Sequence, residues 1–243
     1  MEEERVFSIS KLHTFENCPK MYKFKYIDGI AEPFQVIEAH FGKIIHNTLE
    51  YLYSSPHRLS LNELIDFFNK TWEENWDSSI RIIRKGENKY EYKESGKELL
   101  IKYYPEYLKD NFHTIELEQK FELLLLDKYH FTEIIDRLAR DNEDVFHVID
   151  YKTSRSMHYL SRRFDLLQIK TYGIWTMHNY NLDRVVIHAK YLFGKDEHRI
   201  FKKQWEDEII PLLVNKINKI KKENIFPKRK SGLCPWCRYQ DIC

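Results

Sequence analysis

The chain has 243 residues and a mass of 29.8 kDa, a length that allows one large domain or two small ones. Its 39 Lys and Arg balance 38 Asp and Glu, a net charge of +1, and 42% hydrophobic with 32% charged residues suits a soluble globular fold and excludes disorder. Mean hydropathy is −0.62, no apolar run nears the roughly 18 residues of a membrane span, and the acidic start Met1-Glu2-Glu3-Glu4-Arg5 leads to no apolar signal segment, so the expected location is the cytoplasm with no membrane partner.

Along the chain, Ser10 is expected to cap a short helix over residues 11–15 that stops near Cys18-Pro19, where proline removes a helix donor. Apolar residues at 41, 44, 45, 49 and 52 predict a helix from Phe41 to Tyr53, and Leu64, Ile65, Phe68 and Trp72 predict another from Leu61 to Trp76. Residues 80–95 are charged and poorly periodic and read as an insertion, before a helix from Glu98 to Asp110. Then the texture changes. Thr114 to Leu126, Tyr129 to Arg140 and Asp144 to Thr153 are rich in β-branched and aromatic residues, and their short polar links predict a meander of three antiparallel strands. A helix from Ser161 to Asn179, a strand from Arg184 to Phe193 and a helix from Trp205 to Lys222 follow. The expected organisation is a helical flank over 1–110 that includes Cys18 and His46, a β-β-β-α-β core over 111–203, and a C-terminal helix with a cysteine-bearing tail over 204–243.

Seven glycines are too few and too scattered for phosphate cradles: the two closest, Gly86 and Gly96, are ten apart. No G-x-G-x-x-G and no P-loop can exist, and no H-E-x-x-H or G-x-S-x-G occurs, which disfavours dinucleotide binding, P-loop NTP hydrolysis, zincin and α/β-hydrolase chemistry.

The chemistry concentrates at Asp150-Tyr151-Lys152, the end of the third expected strand. Strand side chains alternate, so Asp150 and Lys152 project together. A carboxylate beside an ammonium can hold a divalent cation while the lysine orients a water, a pairing suited to phosphodiester hydrolysis. Mg²⁺ wants several oxygen ligands, and Asp136 on the neighbouring strand offers a second carboxylate. Thirteen residues separate the two, enough for two half-strands and a turn. Gln168 and Tyr172, four apart, share one helix face. Taken alone, Asp150 and Lys152 also fit a surface ion pair, and Tyr172 a core residue.

The order His46, Asp136, Asp150-x-Lys152, Gln168-x-x-x-Tyr172 resembles the RecB-type branch of the PD-(D/E)XK nucleases. The resemblance implies an α/β, restriction-endonuclease-like core with a mixed sheet. It implies that Asp136, Asp150 and the carbonyl of Tyr151 ligate Mg²⁺ or Mn²⁺, that Lys152 positions the attacking water, and that Gln168 and Tyr172 support the substrate end. Phe41-Gly42-Lys43-Ile44-Ile45-His46 is similar to the family's G-x-x-x-H helix, whose histidine is a further metal ligand, and Glu118 stands where relatives often carry a supporting glutamate. Two positions depart from the pattern: Glu133 where a glycine is usual, and Ser154 where Lys-Thr-Gly is common.

The four cysteines are Cys18 and a C-x₂-C-x₅-C tail of Cys234, Cys237 and Cys243. Four thiols suit zinc or an iron–sulfur cluster, although structural zinc more often uses two close C-x₂-C pairs. This spacing resembles the iron–sulfur variant of these nucleases, found in AddB nuclease domains and CRISPR-associated exonucleases, and implies a [4Fe–4S] cluster that staples the C-terminus to the start of the chain. Arg155, just past the metal strand, and Arg162 and Arg163 are candidate phosphate contacts, as are the basic groups at 221–222 and 228–230, with Phe226, Trp236 and Tyr239 interleaved for base stacking. The expected function is a metal-dependent DNA exonuclease on single-stranded ends, in DNA repair or CRISPR adaptation, partnered by a repair helicase or a CRISPR integrase. The alternative is a non-catalytic iron–sulfur or zinc subunit that holds DNA, against which the joint presence of Asp136, Asp150 and Lys152 argues.

Overall fold

The computed structural model describes residues 6–154, 159–194 and 197–243, and for 159–164, 197 and 198 the backbone only. The first helix, α1 (Ile9–Asn17), is capped by Ser8 and not Ser10: the Ser8 side chain accepts from Lys11 N, and Ser10 lies inside the first turn. Pro19 then starts α2 (Pro19–Tyr22), because the first helical position needs no N–H, and the chain runs on through a π-helical turn over Lys23–Ile27.

A two-residue strand β1 (Gln35–Val36) leads into α3 (Ile37–Ser54), and α4 (Leu61–Glu74) starts at a Ser60–Glu63 capping box. Residues 80–95 are not an insertion. They form β2 (Ile80–Arg81), parallel to β1, and the first turns of α5 (Lys89–Lys109), which begins at a capping box of Asn88 and Glu91. Charge there has a structural use: Lys89 and Lys93 both reach Glu73 of α4, at 2.6 and 2.7 Å.

The main sheet runs β3 (His113–Leu125), β4 (Tyr129–Arg140), β5 (Phe146–Lys152), β6 (Arg184–Tyr191) and β7 (Glu197–Lys202), in that order. The first three strands are antiparallel, as the short polar links require. From β5 the chain crosses through α6 (Tyr159–Tyr180) to β6, which lies parallel to β5, and β7 returns antiparallel. The last helix, α7 (Glu206–Lys222), follows a 3₁₀ turn. The result is an α/β fold with a mixed sheet, extended by one strand beyond the expected β-β-β-α-β.

Apolar residues fall on both faces of this sheet. Leu12 of α1, Ile169 and Ile174 of α6, and Ile209 and Leu213 of α7 join Phe131, Leu138, Val148 and Val185 in one core. Phe41, Ile45, Phe68, Trp72 and Leu100, from α3 to α5, join Ala139, Ile149 and Tyr151 in the other. Alternation along β5 therefore sends Val148 one way and Ile149 and Tyr151 the other, with Asp150 and Lys152 on the Val148 side. Arg137, 1% exposed, locks the helical layer to the sheet: it donates to Asp110 Oδ2 at 2.5 Å and Thr114 Oγ1 at 3.0 Å, and its guanidinium lies 3.7 Å from the Tyr53 ring centre.

The tail folds back on the start of the chain. Phe226 stacks on Tyr22 at 6.3 Å, and the Tyr239 hydroxyl donates to Ile30 O at 2.9 Å. Both aromatics are buried, so neither offers a face to a base, contrary to the expectation from their basic neighbours. Among the described residues, no helix is long and apolar enough to cross a membrane.

Candidate active site

Five elements converge where β5 ends beside the middle of β3 and β4 and next to α3 and α6. His46 comes from α3, beside the buried face made by Phe41, Ile45 and Leu49, and is itself partly exposed. Its Nδ1 lies 3.4 Å from Asp136 Oδ1 and 3.9 Å from Glu118 Oε1. Ligand atoms of these three residues all fall within 4.8 Å of one another, a spacing at which one ion can be held. Glu118 reaches this point with a positive φ of 47°, a conformation that costs a non-glycine residue and that clusters at functional sites.

Asp136 is fixed from the neighbouring strand, its Oδ2 accepting the backbone N–H of Tyr151 at 2.7 Å. The β4–β5 ladder pairs Arg137 with Ile149, and one further step along it sets Asp136 opposite Asp150. Asp150 is 2% exposed, and its Oδ2 lies 2.8 Å from Lys152 Nζ. That contact is a charge pair without hydrogen-bond geometry, which leaves this buried oxygen with no hydrogen bond.

The charges set one another's protonation. Burial alone would lower the His46 pKa, but the charge and hydrogen bond of Asp136, the hydrogen bond of Glu118 and the charge of Asp150 bring it up to about 10. Burial raises Asp150 to about 7 against the opposing charge of Lys152, with Asp136 pushing the same way as burial. Lys152 is buried too, yet the charges of Asp150, Asp165 and Asp136 hold its pKa above the ordinary lysine value. It is therefore an ammonium at any physiological pH, able to donate and unable to take a proton.

Lys152 Nζ also donates to Gln168 Oε1 at 2.8 Å and lies 3.8 Å from Asp165 Oδ1, both on α6. Tyr172, one turn on, is 1% exposed and meets Phe121 edge-on at 5.7 Å beneath the carboxylates; burial and their charge keep its hydroxyl protonated. Sequence reasoning singled out Gln168 but neither Asp165, beside Lys152, nor Glu133, whose Oε2 accepts from Gln168 Nε2 at 3.0 Å, as members of the site. Asp165 was visible as an acid three residues before Gln168 on the same helix face. Glu133 was visible only as an unusual residue before Asp136.

Arg155 lies outside the described residues, as do the side chains of Arg162 and Arg163. The four cysteines come from opposite ends of the chain and line one cavity of about 490 Å³, together with Lys228, Arg229 and Lys230. Backbone N–H groups of Arg229 and Ser231 point at the sulfurs of Cys18 and Cys234, at 3.4 and 3.3 Å. Burial raises the Cys237 thiol, and the other three cysteines add to that.

A family model described as the PD-(D/E)XK nuclease superfamily matches residues 6–243. No curated protein matches the chain. Among solved structures, one named "Putative exonuclease" from Eubacterium rectale is similar in fold, with a TM-score of 0.54 and 12% identity over 97% of this chain and 88% of that one. The crystal structure of SSO0001 aligns with a TM-score of 0.42 and 16% identity over 100% of this chain and 87% of that one.

Proposed function

The chain belongs to the PD-(D/E)XK nuclease superfamily, and we propose that it is a divalent-metal-dependent DNA exonuclease of the RecB-like branch, acting on single-stranded ends. The observation that carries this reading is the meeting of His46, Glu118 and Asp136 beside the Asp150–Lys152 pair. His46, Asp136, Asp150 and the Tyr151 carbonyl are the ligands assigned to Mg²⁺ or Mn²⁺, with Glu118 beside them. Oxygen-rich donors suit a hard cation, and the buried Asp150 carboxylate, facing Asp136 and Lys152, adds to that set.

Bound there, the cation supplies positive charge to the scissile phosphate and lowers the pKa of the attacking water. The chain's own groups do the rest. Lys152, held between Asp150 and Gln168, donates to the attacking oxygen and counters charge on the phosphate. Tyr151 N holds Asp136 in place, and His46 lies between Asp136 and Glu118. The water oxygen bonds phosphorus and yields its proton to bulk water, the bond from phosphorus to the leaving sugar oxygen breaks, and that oxygen takes a proton back from solvent. Tyr172 acts from below as packing. Arg155, Arg162 and Arg163 are assigned to the phosphate backbone on their sequence position after Lys152.

The four thiols are assigned to a structural [4Fe–4S] cluster. Their shared cavity, the two N–H···S contacts and three nearby basic residues support it. The biological setting that fits is end-trimming in the cytoplasm, in DNA repair or CRISPR adaptation, with a helicase or an integrase supplying the ends.

The deciding experiment incubates labelled single-stranded DNA and Mn²⁺ with the wild-type protein and with Asp150→Ala. Shortening by the wild type alone is expected; equal shortening, or none in either sample, rejects the assignment. Anaerobic purification should yield a brown protein with about four irons, and a colourless, iron-free one rejects the cluster.

A further inference from the structure

We propose that Glu133 is a positioning residue for Lys152, acting through the side-chain amide of Gln168 and tying the lysine to the first turn of α1; its catalytic consequence rests on the nuclease reading above. Glu133 lies on β4, 8% exposed, and uses both carboxylate oxygens. Its Oε1 accepts the backbone N–H of Ile9, the first residue of α1, and its Oε2 accepts from Gln168 Nε2 at 3.0 Å. Gln168 Oε1 in turn accepts from Lys152 Nζ at 2.8 Å.

The chemistry of the three side chains fixes the direction of this chain. An ammonium only donates and an ionised carboxylate only accepts, so the amide between them has a single orientation, oxygen to Lys152 and nitrogen to Glu133. The amide thus holds the ammonium on the side where it also meets Asp150, at 2.8 Å. With that oxygen turned away, the competing acid is Asp165, 3.8 Å off on the same helix, and the ammonium is drawn toward it. A carboxylate at 133 is required because two donors, Ile9 N and Gln168 Nε2, need two acceptors. A glutamine there has one oxygen and one NH₂. It must leave the α1 N–H unsatisfied or turn the Gln168 NH₂ against the Lys152 ammonium, donor facing donor.

The test uses Glu133→Gln, Gln168→Glu and the double variant, which exchange donor and acceptor with almost no change of shape. In the double variant the amide at 133 donates to the carboxylate at 168, whose other oxygen still accepts from Lys152. Two readouts apply to each protein: kcat and KM on labelled single-stranded DNA with Mn²⁺, and acylation of Lys152 by an N-hydroxysuccinimide ester, quantified by mass spectrometry. Glu133→Gln is expected to lower kcat about 10- to 100-fold, as loss of a supporting shell typically does, with KM little changed and Lys152 acylated several-fold faster. Gln168→Glu alone, with two carboxylates facing, is expected to be impaired as well. The double variant should recover most of the kcat and the slow acylation. Wild-type kcat and acylation in Glu133→Gln, or a double variant no better than that single one, overturns the proposal. Should the wild-type protein leave DNA intact, the nuclease reading falls while the acylation series still decides the role of Glu133.

Discussion

A protonated imidazole stands among the carboxylates of this site, and it makes metal binding a proton-exchange reaction. The His46 pKa of about 10 comes from Asp136, Glu118 and Asp150, which outweigh its burial. A nitrogen that ligates a cation must first lose its proton. Mn²⁺ binding at pH 8 is therefore expected to release about one proton per ion, measured by calorimetry in two buffers of different ionisation heat. Release of none removes His46 from the ligand set. The sign for stability follows from the same shifts. Asp150 is raised from 3.8 to about 7, so its contribution to the ion-free fold is full below the ordinary carboxylate value and fades as pH rises through about 7. His46, raised from 6.5, gives a contribution that is full below about pH 6.5 and is lost progressively between there and about pH 10. The melting temperature of the ion-free protein should thus decline from about pH 4 to about pH 7 through Asp150 and on to about pH 10 through His46, and the upward shift on adding Mn²⁺ should grow over the same range. Lys152 adds no basic limb of its own there, being an ammonium throughout. Lys152→Ala is expected to lower kcat by about 10²–10³, the usual effect of removing one preorganised donor, read in single-turnover cleavage.

At the scale of elements, one contact inside the helical layer and one between that layer and the sheet separate packing from charge. A Cβ on Gly96 of α5 would come within 2.5 Å of Phe68 Cζ and 3.3 Å of Phe41 Cε2. Gly96→Ala therefore forces α4 and α5 apart, at about 1–3 kcal/mol, visible in urea unfolding. Asp110→Ala strands Arg137, which is 1% exposed, and should cost about 3–5 kcal/mol. The sequence made some of these elements legible and not others, for physical reasons. Strands β3 to β5 were readable because turn residues bracket β-branched runs, and Asp150 and Lys152 then follow from alternation alone. Strand β7 was missed because it carries few apolar residues and its pairing partner β6, not its own pattern, makes it a strand. The start of α5 was lost in a charged stretch, although Asn88 and Glu91 carried the capping signal. The cap of α1 was misplaced by two residues because Ser8 and Ser10 are equally good caps on paper, and only the backbone conformation selects Ser8. Asp110–Arg137 and Glu133–Gln168 had no local signal at all, since their partners are 27 and 35 residues apart.

For the whole molecule, α1 is the element on which both ends of the chain depend. Its first N–H is bonded to Glu133, and its C-cap is Cys18, one wall of the thiol cavity. Protein contacts already bring the tail back: Trp236 Nε1 donates to Glu38 at 3.0 Å, Arg238 pairs with Glu32 at 2.7 Å, and the Tyr239 hydroxyl reaches Ile30 O at 2.9 Å. These bonds are partly exposed and individually weak, so they orient the tail but do little to hold it once the helices loosen. A cluster on all four thiols would close a loop of over two hundred residues between Cys18 and Cys234, which on chain-entropy grounds is worth about 4 to 5 kcal/mol, by analogy with a disulfide. Cys18→Ala is accordingly expected to lower the unfolding free energy of the anaerobically purified protein by several kcal/mol. Because α1 runs from that cavity to Glu133, the same variant should lower kcat while leaving the Mn²⁺ affinity unchanged, since no ligand of that ion sits on α1. Wild-type protein stripped of iron by a chelator provides the control: it should match Cys18→Ala in both denaturation midpoint and kcat. If the stripped protein keeps the midpoint of the loaded one, the thiols bear no mechanical load, and the tail is held by its side-chain contacts alone.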